Sequence, residues 1–491
     1  MNDCCNTNTT REDEMPPADA TPQPGHLVII GGGSAAFAAT TRAAERGWRV
    51  TIINDGLPIG GTCVNVGCIP SKALIRAAEA HYRAAHHPFA GIESQSRVSD
   101  FGSLTRQTHA LVETLRQEKY LDVVKDLPGV EIITGRARFL SATEIQVAGR
   151  TICADRVLIA TGARTHVPDI PGLAETDYLI TDTAFELTAA PKSLLVLGGR
   201  YIALECAQMF ARLDVPTTVL QRSERILPTE SPELTDALTG YLHDEGLAIH
   251  TGVKILAVRP GGDGVQVDTE IAGELKTFTA EKLLLATGRT PNTADLNLEA
   301  AGVTLDPQGF IQVNDQLQTQ AAHIYAAGDV IGEPMFVYTA AYEGALAAEN
   351  ACAEGEGTPR SRDYAPLPWV VFTDPQVAGV GMDQAQAKAA GIDAETITLP
   401  MEKVPRCLAA RETRGFLQLI RDRANDRILG GRVLAHEGSE LMMEISLAIR
   451  HQMTAKELAA MFHPYLTLGE AVKLAALSFG KDVNKLSCCA T

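Results

Sequence analysis

The chain of 491 residues contains no long apolar run. None of its apolar stretches approaches the roughly 18 consecutive residues that a membrane-spanning helix requires. The first residues, from Met1 to Cys5, are polar and acidic, without the hydrophobic core of a signal peptide. These absences predict a cytoplasmic protein that has no membrane partner.

Basic residues are scarce relative to acidic ones. The chain has 43 Lys and Arg against 60 Asp and Glu, for a formal net charge of −17 at pH 7. Polyanions repel such a surface, which argues against nucleic acids and anionic membranes as partners. The chain is also too long for a single hydrophobic core, and its length predicts about three domains.

The chain has ten cysteines. Because cytoplasmic proteins rarely build a disulfide framework, we expect these thiols to be catalytic, metal-binding or buried. Cys153, Cys206 and Cys352 each stand alone among apolar or small residues, which predicts inert core thiols. The others are Cys407, to which the sequence assigns no role, and three close pairs, Cys4/Cys5, Cys63/Cys68 and Cys488/Cys489.

The order of apolar and polar stretches predicts an α/β fold class. Residues 1–25 are rich in Pro, Thr and acidic residues and predict a disordered tail. Two strand-turn-helix units, beginning near His26 and Ser193, predict two Rossmann-like dinucleotide-binding domains. The predicted domains are the first nucleotide-binding domain at 26–168, which resumes at 289–364, the second at 169–288, and a C-terminal α+β domain at 365–491.

The first unit carries a dinucleotide motif. Gly31, Gly33 and Ala36 form a G-x-G-x-x-A pattern between strand and helix. The first glycine permits a tight turn, and the second lets the backbone approach a pyrophosphate at the helix N-terminus. In this context we favour a dinucleotide site over simple chain reversal. The strand that follows ends in Asn54 and Asp55, and the sequence leaves open which of them would hold the ribose.

The second unit departs from this motif. Gly198 keeps the first position, but Arg200 replaces the second glycine, so the backbone should approach a pyrophosphate less closely. No acid ends the following strand, where Arg222 and Arg225 occur instead. NAD sites use a carboxylate at this place, whereas an arginine accommodates the 2′-phosphate of NADP. We therefore predict NADPH as the second cofactor; the alternative is two solvated arginines.

Cys63 and Cys68 are the strongest candidates for chemistry. In a regular helix their Cα atoms would lie roughly 8.6 Å apart, whereas a disulfide requires less than about 7 Å. A disulfide here would distort the helix, and a strained disulfide is easier to reduce. The pair therefore indicates redox chemistry, and Lys72 nearby would favour a thiolate.

The run from Gly61 to Lys72 resembles that of the flavin-dependent pyridine nucleotide–disulfide oxidoreductases. The resemblance implies FAD in the first domain, NADPH in the second and a homodimer formed through the third. Asp329, in a run that resembles the motif contacting the flavin ribitol, adds to this expectation. The residues expected to bind the cofactors are Gly31, Gly33, Ala36, Asn54, Asp55, Gly61, Thr62, Lys72, Thr161, Gly162, Gly198, Arg222, Arg225, Gly288 and Asp329.

The same resemblance assigns roles at the redox pair. It implies that Cys68 contacts the flavin as a thiolate and that Cys63 faces the substrate. It also implies that Lys72 pairs with Glu205 beside the flavin, and that Tyr201 covers the flavin where the nicotinamide docks. The alternatives for these three are an exposed lysine, an ordinary helix glutamate and a core aromatic residue.

Two C-terminal features concern the substrate. Disulfide-reducing members carry a glutamate five residues after a His-Pro, but here Leu468 stands five residues after His463 and Glu470 is out of register. The sequence therefore predicts a proton-transfer pair with its carboxylate missing. Tyr465, in contrast, matches the pattern of the mercuric reductases, in which this tyrosine helps to bind the metal.

The chain ends near the vicinal pair Cys488 and Cys489. Adjacent cysteines close only a strained ring, whereas as a dithiol they offer soft ligands to a soft ion. The resemblance implies that this tail delivers Hg(II), taken from a thiol complex, to Cys63 and Cys68 of the other subunit. The predicted activity is NADPH-dependent reduction of Hg(II) to Hg(0); the alternatives are a disulfide reductase similar to dihydrolipoamide dehydrogenase, and a flavoprotein that sequesters Hg(II) without turnover.

Overall fold

The computed structural model describes residues 25–262, 264–353 and 358–482. The pairs Cys4/Cys5 and Cys488/Cys489, with residues 1–24 of the predicted tail, lie outside the described residues. Within the described ranges, no helix has both the length and the apolar character needed to cross a bilayer.

The helices and strands follow in chain order. The first unit contains β1 (His26–Ile30), α1 (Ser34–Glu45), β2 (Arg49–Asn54), α2 (Gly61–Asn65), α3 (Cys68–Ala85), α4 (Phe101–Arg116), α5 (Asp122–Lys125), β3 (Val130–Thr134), β4 (Arg138–Phe139), β5 (Glu144–Val147), β6 (Arg150–Cys153), β7 (Arg156–Ile159) and β8 (Ala163–Thr165). The second contains α6 (Thr181–Ala184), β9 (Leu194–Leu197), α7 (Tyr201–Arg212), β10 (Thr217–Leu220), α8 (Pro232–Asp244), β11 (Ala248–His250), β12 (Val253–Gly261), β13 (Gly264–Ile271), β14 (Glu274–Ala280) and β15 (Lys282–Leu285). The remainder contains β16 (Arg289–Pro291), β17 (Ile324–Ala326), α9 (Val337–Cys352), β18 (Trp369–Val371), β19 (Gln376–Gly381), α10 (Gln384–Ala389), β20 (Ala394–Pro400), α11 (Pro405–Ala410), β21 (Phe416–Asp422), β22 (Ile428–Ala435), α12 (Met442–Arg450), α13 (Ala455–Ala460) and α14 (Glu470–Ser478).

Five parallel strands form the first sheet, in the order β17-β7-β1-β2-β3. Both faces of its central strand β1 are covered. Leu27 and Ile29 pack in one core with residues of α1 and α9, while Val28 and Ile30 pack with the antiparallel sheet β4-β5-β6. This two-sided burial explains why the strand is a continuous apolar run rather than an alternating one.

The second unit repeats this arrangement. Its parallel sheet has the order β11-β10-β9-β15. Leu194 and Val196 of β9 share a core with α7 and α8, and Leu195 and Leu197 share one with the antiparallel sheet β12-β13-β14. The chain then rejoins the first sheet, because β17 pairs with β7.

The C-terminal part is built on one antiparallel sheet, in the order β18-β19-β22-β21-β20. Residues of α12 and α14, among them Ile445 and Val472, share a core with β19, β21 and β22. Two nucleotide-binding α/β units and an α+β unit therefore make up the chain, which confirms the predicted fold class.

A π-helical turn at Gln117–Leu121 separates α4 from α5. One local expectation differs from the structure. Cys153, expected in the core, is exposed, because β6 is an edge strand of its small sheet and that end of the strand faces outward. Cys206 and Cys352 are buried as predicted.

A buried ion-pair network attaches the second unit to the third. The guanidinium of Arg212, on α7, donates to Glu245 at 2.6 and 2.7 Å and to the Asp374 carboxylate at 3.1 Å. The side chains of Arg212 and Glu245 are only 4% and 2% exposed. Burial opposes ionisation of Asp374, but a hydrogen bond with His436 and the charges of neighbouring arginines outweigh it and hold the pKa of Asp374 well below its usual range.

Replacing Arg212 by methionine should destabilise the protein strongly, because Glu245 and Asp374 then lose a buried partner. Such losses cost about 3–5 kcal/mol. The control is Arg150→Met, which removes an exposed pair with Glu131 (59% and 53% exposed) and should cost less than about 1 kcal/mol. Urea unfolding of both variants measures the difference, and equal shifts of the two midpoints would contradict this role.

Candidate active site

The redox pair lies on either side of a break between two helices. α2 ends at Asn65, and α3 begins at Cys68. A Cβ on Gly67 would lie 2.9 Å from the carbonyl oxygen of Thr62, so glycine lets the chain turn closely against the preceding helix. The regular helix on which the 8.6 Å estimate depended is therefore not formed. Both cysteines are thiols in this structure.

The two thiols differ in acidity. The hydrogen bond from the Cys63 thiol, together with the charge of Lys72, outweighs burial and lowers the pKa of Cys68 to about 7. The same hydrogen bond, followed by burial, raises the pKa of Cys63 far above its usual value. At neutral pH the pair therefore holds its proton on Cys63 and can carry its negative charge on Cys68.

Lys72 and Glu205 meet beside this pair. The Lys72 ammonium lies 2.6 Å from the Glu205 carboxylate, which is almost fully buried on α7. The other Glu205 oxygen accepts the backbone N–H of Phe372 at 2.9 Å, and the ammonium lies 4.6 Å from the centre of the Phe372 ring. The lysine is thus held in place by residues of the second and third units.

Tyr201 is the first residue of α7 and belongs to an aromatic stack. Its ring is nearly parallel to those of Trp369 and Phe336, at centroid distances of 5.7 and 6.3 Å. Burial raises the pKa of Tyr201 to about 12, so its hydroxyl stays protonated at neutral pH. The sequence analysis missed Trp369 and Phe336; the only available signal was that the chain has two tryptophans in all.

The first glycine turn is shaped for a group at the start of α1. Gly31 has φ +124°, and a Cβ there would lie 2.1 Å from the Ala160 carbonyl oxygen. A Cβ on Gly61 would lie 2.7 Å from the Cα of Gly33, so the starts of α1 and α2 touch through glycine. Where glycines leave a helix N-terminus without side chains, a phosphate group can approach its backbone N–H groups closely and bind there. Ala36 is buried within α1.

Two other predicted FAD residues, Gly162 and Asp329, follow strands β7 and β17 of the first sheet, whereas Gly288 precedes β16, which pairs with β8. A Cβ on Gly162 or Gly288 would meet no described atom within 4 Å, so both positions border open space. The Thr161 hydroxyl donates to the backbone of Asn292 at 2.8 Å. Asp329, after β17, lies 3.7 Å from Arg289; burial raises its pKa, and Arg289 opposes that shift. These glycines with one carboxylate fit FAD.

Asn54 and Asp55 differ in their surroundings. The Asn54 side chain lies under the first turn, with its oxygen 2.5 Å from where a Cβ of Gly32 would stand. Asp55 instead pairs at 2.9 Å with the exposed Arg136. The arrangement favours Asn54 as the ribose contact.

The second turn has the corresponding shape. Gly198 has φ +125°, and its Cβ would lie 2.3 Å from the Ala286 carbonyl oxygen. The amide side chain of Gln221 lies under Gly199, as Asn54 lies under Gly32. Arg222 is exposed, whereas the Nε of Arg225 is buried without a hydrogen-bond partner among the described residues. An unpaired guanidinium N–H at this strand end fits the 2′-phosphate of NADPH.

His463 has a carboxylate partner that the sequence analysis missed. Its Nε2 lies 2.5 Å from the Glu444 carboxylate, and its Nδ1 lies 3.2 Å from the Met461 carbonyl oxygen. The prediction of a missing carboxylate was wrong, because the partner comes from α12, 19 residues earlier, rather than from the segment after the histidine. Tyr465 is 48% exposed, close in sequence to the fully exposed Phe462.

The shared proton gives a testable pH dependence. In the reduced protein, modification of Cys68 by iodoacetamide should rise with pH through a midpoint near 7, because the thiolate is the nucleophile. The Cys63→Ala variant loses the hydrogen bond, so its midpoint should move up toward about 8.5. Cys407→Ala, on α11, is the control. Mass spectrometry of the Cys68 peptide measures the rates, and an unchanged midpoint in Cys63→Ala would overturn the assignment.

Comparisons with known proteins identify the family of the chain. Residues 25–344 match the family model of the pyridine nucleotide-disulphide oxidoreductases, and residues 367–476 match the dimerisation domain of that family. The solved structure of the HOCl-induced flavoprotein disulfide reductase RclA from Escherichia coli superposes with a TM-score of 0.83 at 31% identity, covering 93% of this chain and 100% of that one.

Curated relatives are more similar in sequence. The mercuric reductase of Staphylococcus aureus is 42% identical over 464 residues, which are 94% of this chain and 84% of that protein. That of Shigella flexneri is 44% identical over 474 residues, 95% of this chain and 82% of that protein. The chain therefore belongs to the pyridine nucleotide-disulphide oxidoreductases and, within that family, to the mercuric reductases.

Proposed function

We propose that the protein reduces Hg(II) to Hg(0) with electrons from NADPH, through FAD and the Cys63–Cys68 pair. One observation carries the proposal: two thiols share one proton beside Lys72, in a chain that is similar to mercuric reductases over nearly all its length. The overall reaction consumes one Hg(II) and one NADPH and yields Hg(0), NADP⁺ and a proton.

FAD and NADPH are the cofactors. When bound, they supply the two electrons of the reaction. The turn at Gly31 and Gly33, the Asn54 amide and Asp329 would hold FAD, and the turn at Gly198 with Arg225 would hold NADPH.

The chain's own groups prepare the metal ligands. Hg(II) is a soft ion that binds thiolates, and Cys68 is ready as a thiolate near neutral pH. Cys63 keeps its proton until the metal arrives, and it releases that proton when its sulfur becomes the second ligand. Lys72 stabilises the negative charge on Cys68 throughout, because Glu205 and Phe372 hold its ammonium in place.

The dimerisation domain supports a homodimer. Exposed apolar side chains on α12 and after α13 are consistent with burial against a second subunit. We propose that Tyr465, in this exposed region, helps to bind the metal, and that Cys488 and Cys489 take Hg(II) from a thiol complex and pass it to the partner's redox pair. Since this exchange needs free thiols, a reducing compartment such as the cytoplasm suits it.

Turnover with Hg(II) tests the proposal. The FAD-loaded protein should oxidise NADPH when HgCl₂ and excess small thiol are added, and it should release mercury vapour. Cys488→Ala/Cys489→Ala should lower this rate about tenfold or more at high competing thiol, because a tethered dithiol is lost. Cys153→Ala, which removes one exposed thiol, is the control. Stoichiometric retention of mercury without NADPH oxidation would instead indicate a sequestering protein.

The His463–Glu444 pair favours a second candidate activity, reduction of a small disulfide. Reduction of a disulfide requires a proton for the departing thiolate, and a histidine held by a carboxylate can supply one. If the protein has this activity, His463→Ala should lower it about a hundredfold and leave Hg(II) turnover unchanged. His451→Ala, at the end of α12, is the control. Equal losses with both substrates, or no disulfide reduction by the unmodified protein, would exclude this candidate.

A further inference from the structure

Glu343 is a buried carboxylate close to the expected flavin edge that the proposed mechanism does not use. It lies on α9, and the residue is only 1% exposed. One carboxylate oxygen accepts the backbone N–H of Gly328 at 2.7 Å. The other accepts the Tyr364 hydroxyl at 2.5 Å. A group this deeply buried is stable only when its oxygens are hydrogen-bonded.

The contact with Gly328 fixes the turn that presents Asp329. Gly328 has φ +78°, a backbone conformation that glycine adopts without strain but that other residues rarely adopt, and the Glu343 carboxylate binds its N–H. Since Asp329 is the next residue, the direction of its carboxylate depends on how the Gly328 N–H is anchored.

The residue after Glu343 aligns the same helix with the first glycine turn. A Cβ on Gly344 would lie 2.0 Å from the Ala35 carbonyl oxygen, so α9 lies directly against the first turn of α1. Gly33, which we assign to the pyrophosphate, immediately precedes α1. Neighbouring positions on α9 thus set the relative placement of both expected FAD-binding turns.

Tyr364 extends this arrangement toward the third unit. It lies on the segment that leads to β18, where Trp369 stacks with Tyr201. Burial, followed by the hydrogen bond to Glu343, raises the pKa of Tyr364, so its hydroxyl remains a donor at neutral pH. Burial also raises the pKa of Glu343, and the hydrogen bonds from Tyr364 and Gly328 oppose that shift.

We infer that Glu343 is a positioning residue for FAD, which holds the Gly328–Asp329 turn in place together with Tyr364. The inference rests on the proposed FAD site but not on the identity of the substrate. It concerns the retention of the cofactor rather than electron transfer.

The rate of FAD release from the holoenzyme tests this inference. The release is measured by diluting the holoenzyme and recording the increase in flavin fluorescence. Glu343→Leu loses both hydrogen bonds and should release FAD about ten- to a hundredfold faster. Glu343→Gln should restore slow release, because its carbonyl oxygen can accept from Gly328 and its NH₂ can donate to the Tyr364 oxygen. Tyr364→Phe should give a smaller acceleration and remains informative if Glu343→Leu fails to fold.

Glu349→Leu is the matched control on the same helix, since its carboxylate pairs with Arg42 and Arg360 rather than with the turn. It should release FAD at the unmodified rate. The inference would be overturned if Glu343→Leu and Tyr364→Phe released FAD at the rate of the unmodified protein. It would also be overturned if Glu349→Leu released FAD as fast as Glu343→Leu. A protein that holds FAD but does not reduce Hg(II) would contradict the proposed function alone, whereas one that holds no flavin would contradict both.

Discussion

The ion pair between Lys72 and Glu205 is the interaction on which the active site depends. Lys72 is on the helix that begins at Cys68, and Glu205 is on α7 of the second nucleotide unit. The same carboxylate accepts a backbone N–H of Phe372, in the third unit. One buried acid therefore joins all three parts of the chain at the redox pair. The cation that favours the thiolate is placed by the fold as a whole rather than by its own helix.

This arrangement explains the unequal thiols. In an isolated peptide, two cysteines five residues apart would have similar pKa values, since nothing would distinguish their surroundings. Here the break at Gly67 lets the Cys63 thiol donate to Cys68, and Lys72 adds charge stabilisation on the same sulfur. Cys68 is thus available as a thiolate, whereas Cys63 remains a protonated thiol. Such a pair can bind a soft cation through both sulfurs, because Cys68 is already ionised and Cys63 loses its proton when it binds the metal.

Features set by neighbouring residues could be predicted from the sequence. The two nucleotide units and the glycine turns depend on patterns a few residues long. Features that depend on distant residues could not. Glu444 reaches His463 from another helix, and Trp369 joins Tyr201 across a domain boundary. The exposure of Cys153 depends on its place at the edge of a sheet, which no local pattern in the sequence reveals.

A metal ion and a disulfide differ as substrates in whether their reduction requires a proton donor. A disulfide that accepts two electrons leaves thiolates that must be protonated, whereas Hg(0) leaves without a proton. His463 could serve the first reaction, but both of its ring nitrogens already have partners, Glu444 and the Met461 carbonyl oxygen. A ring held at both nitrogens must break a contact before it can serve as an acid toward a substrate. Cys63 and Cys68 can bind a soft metal ion without any change at His463, and this difference favours the metal ion as the main substrate.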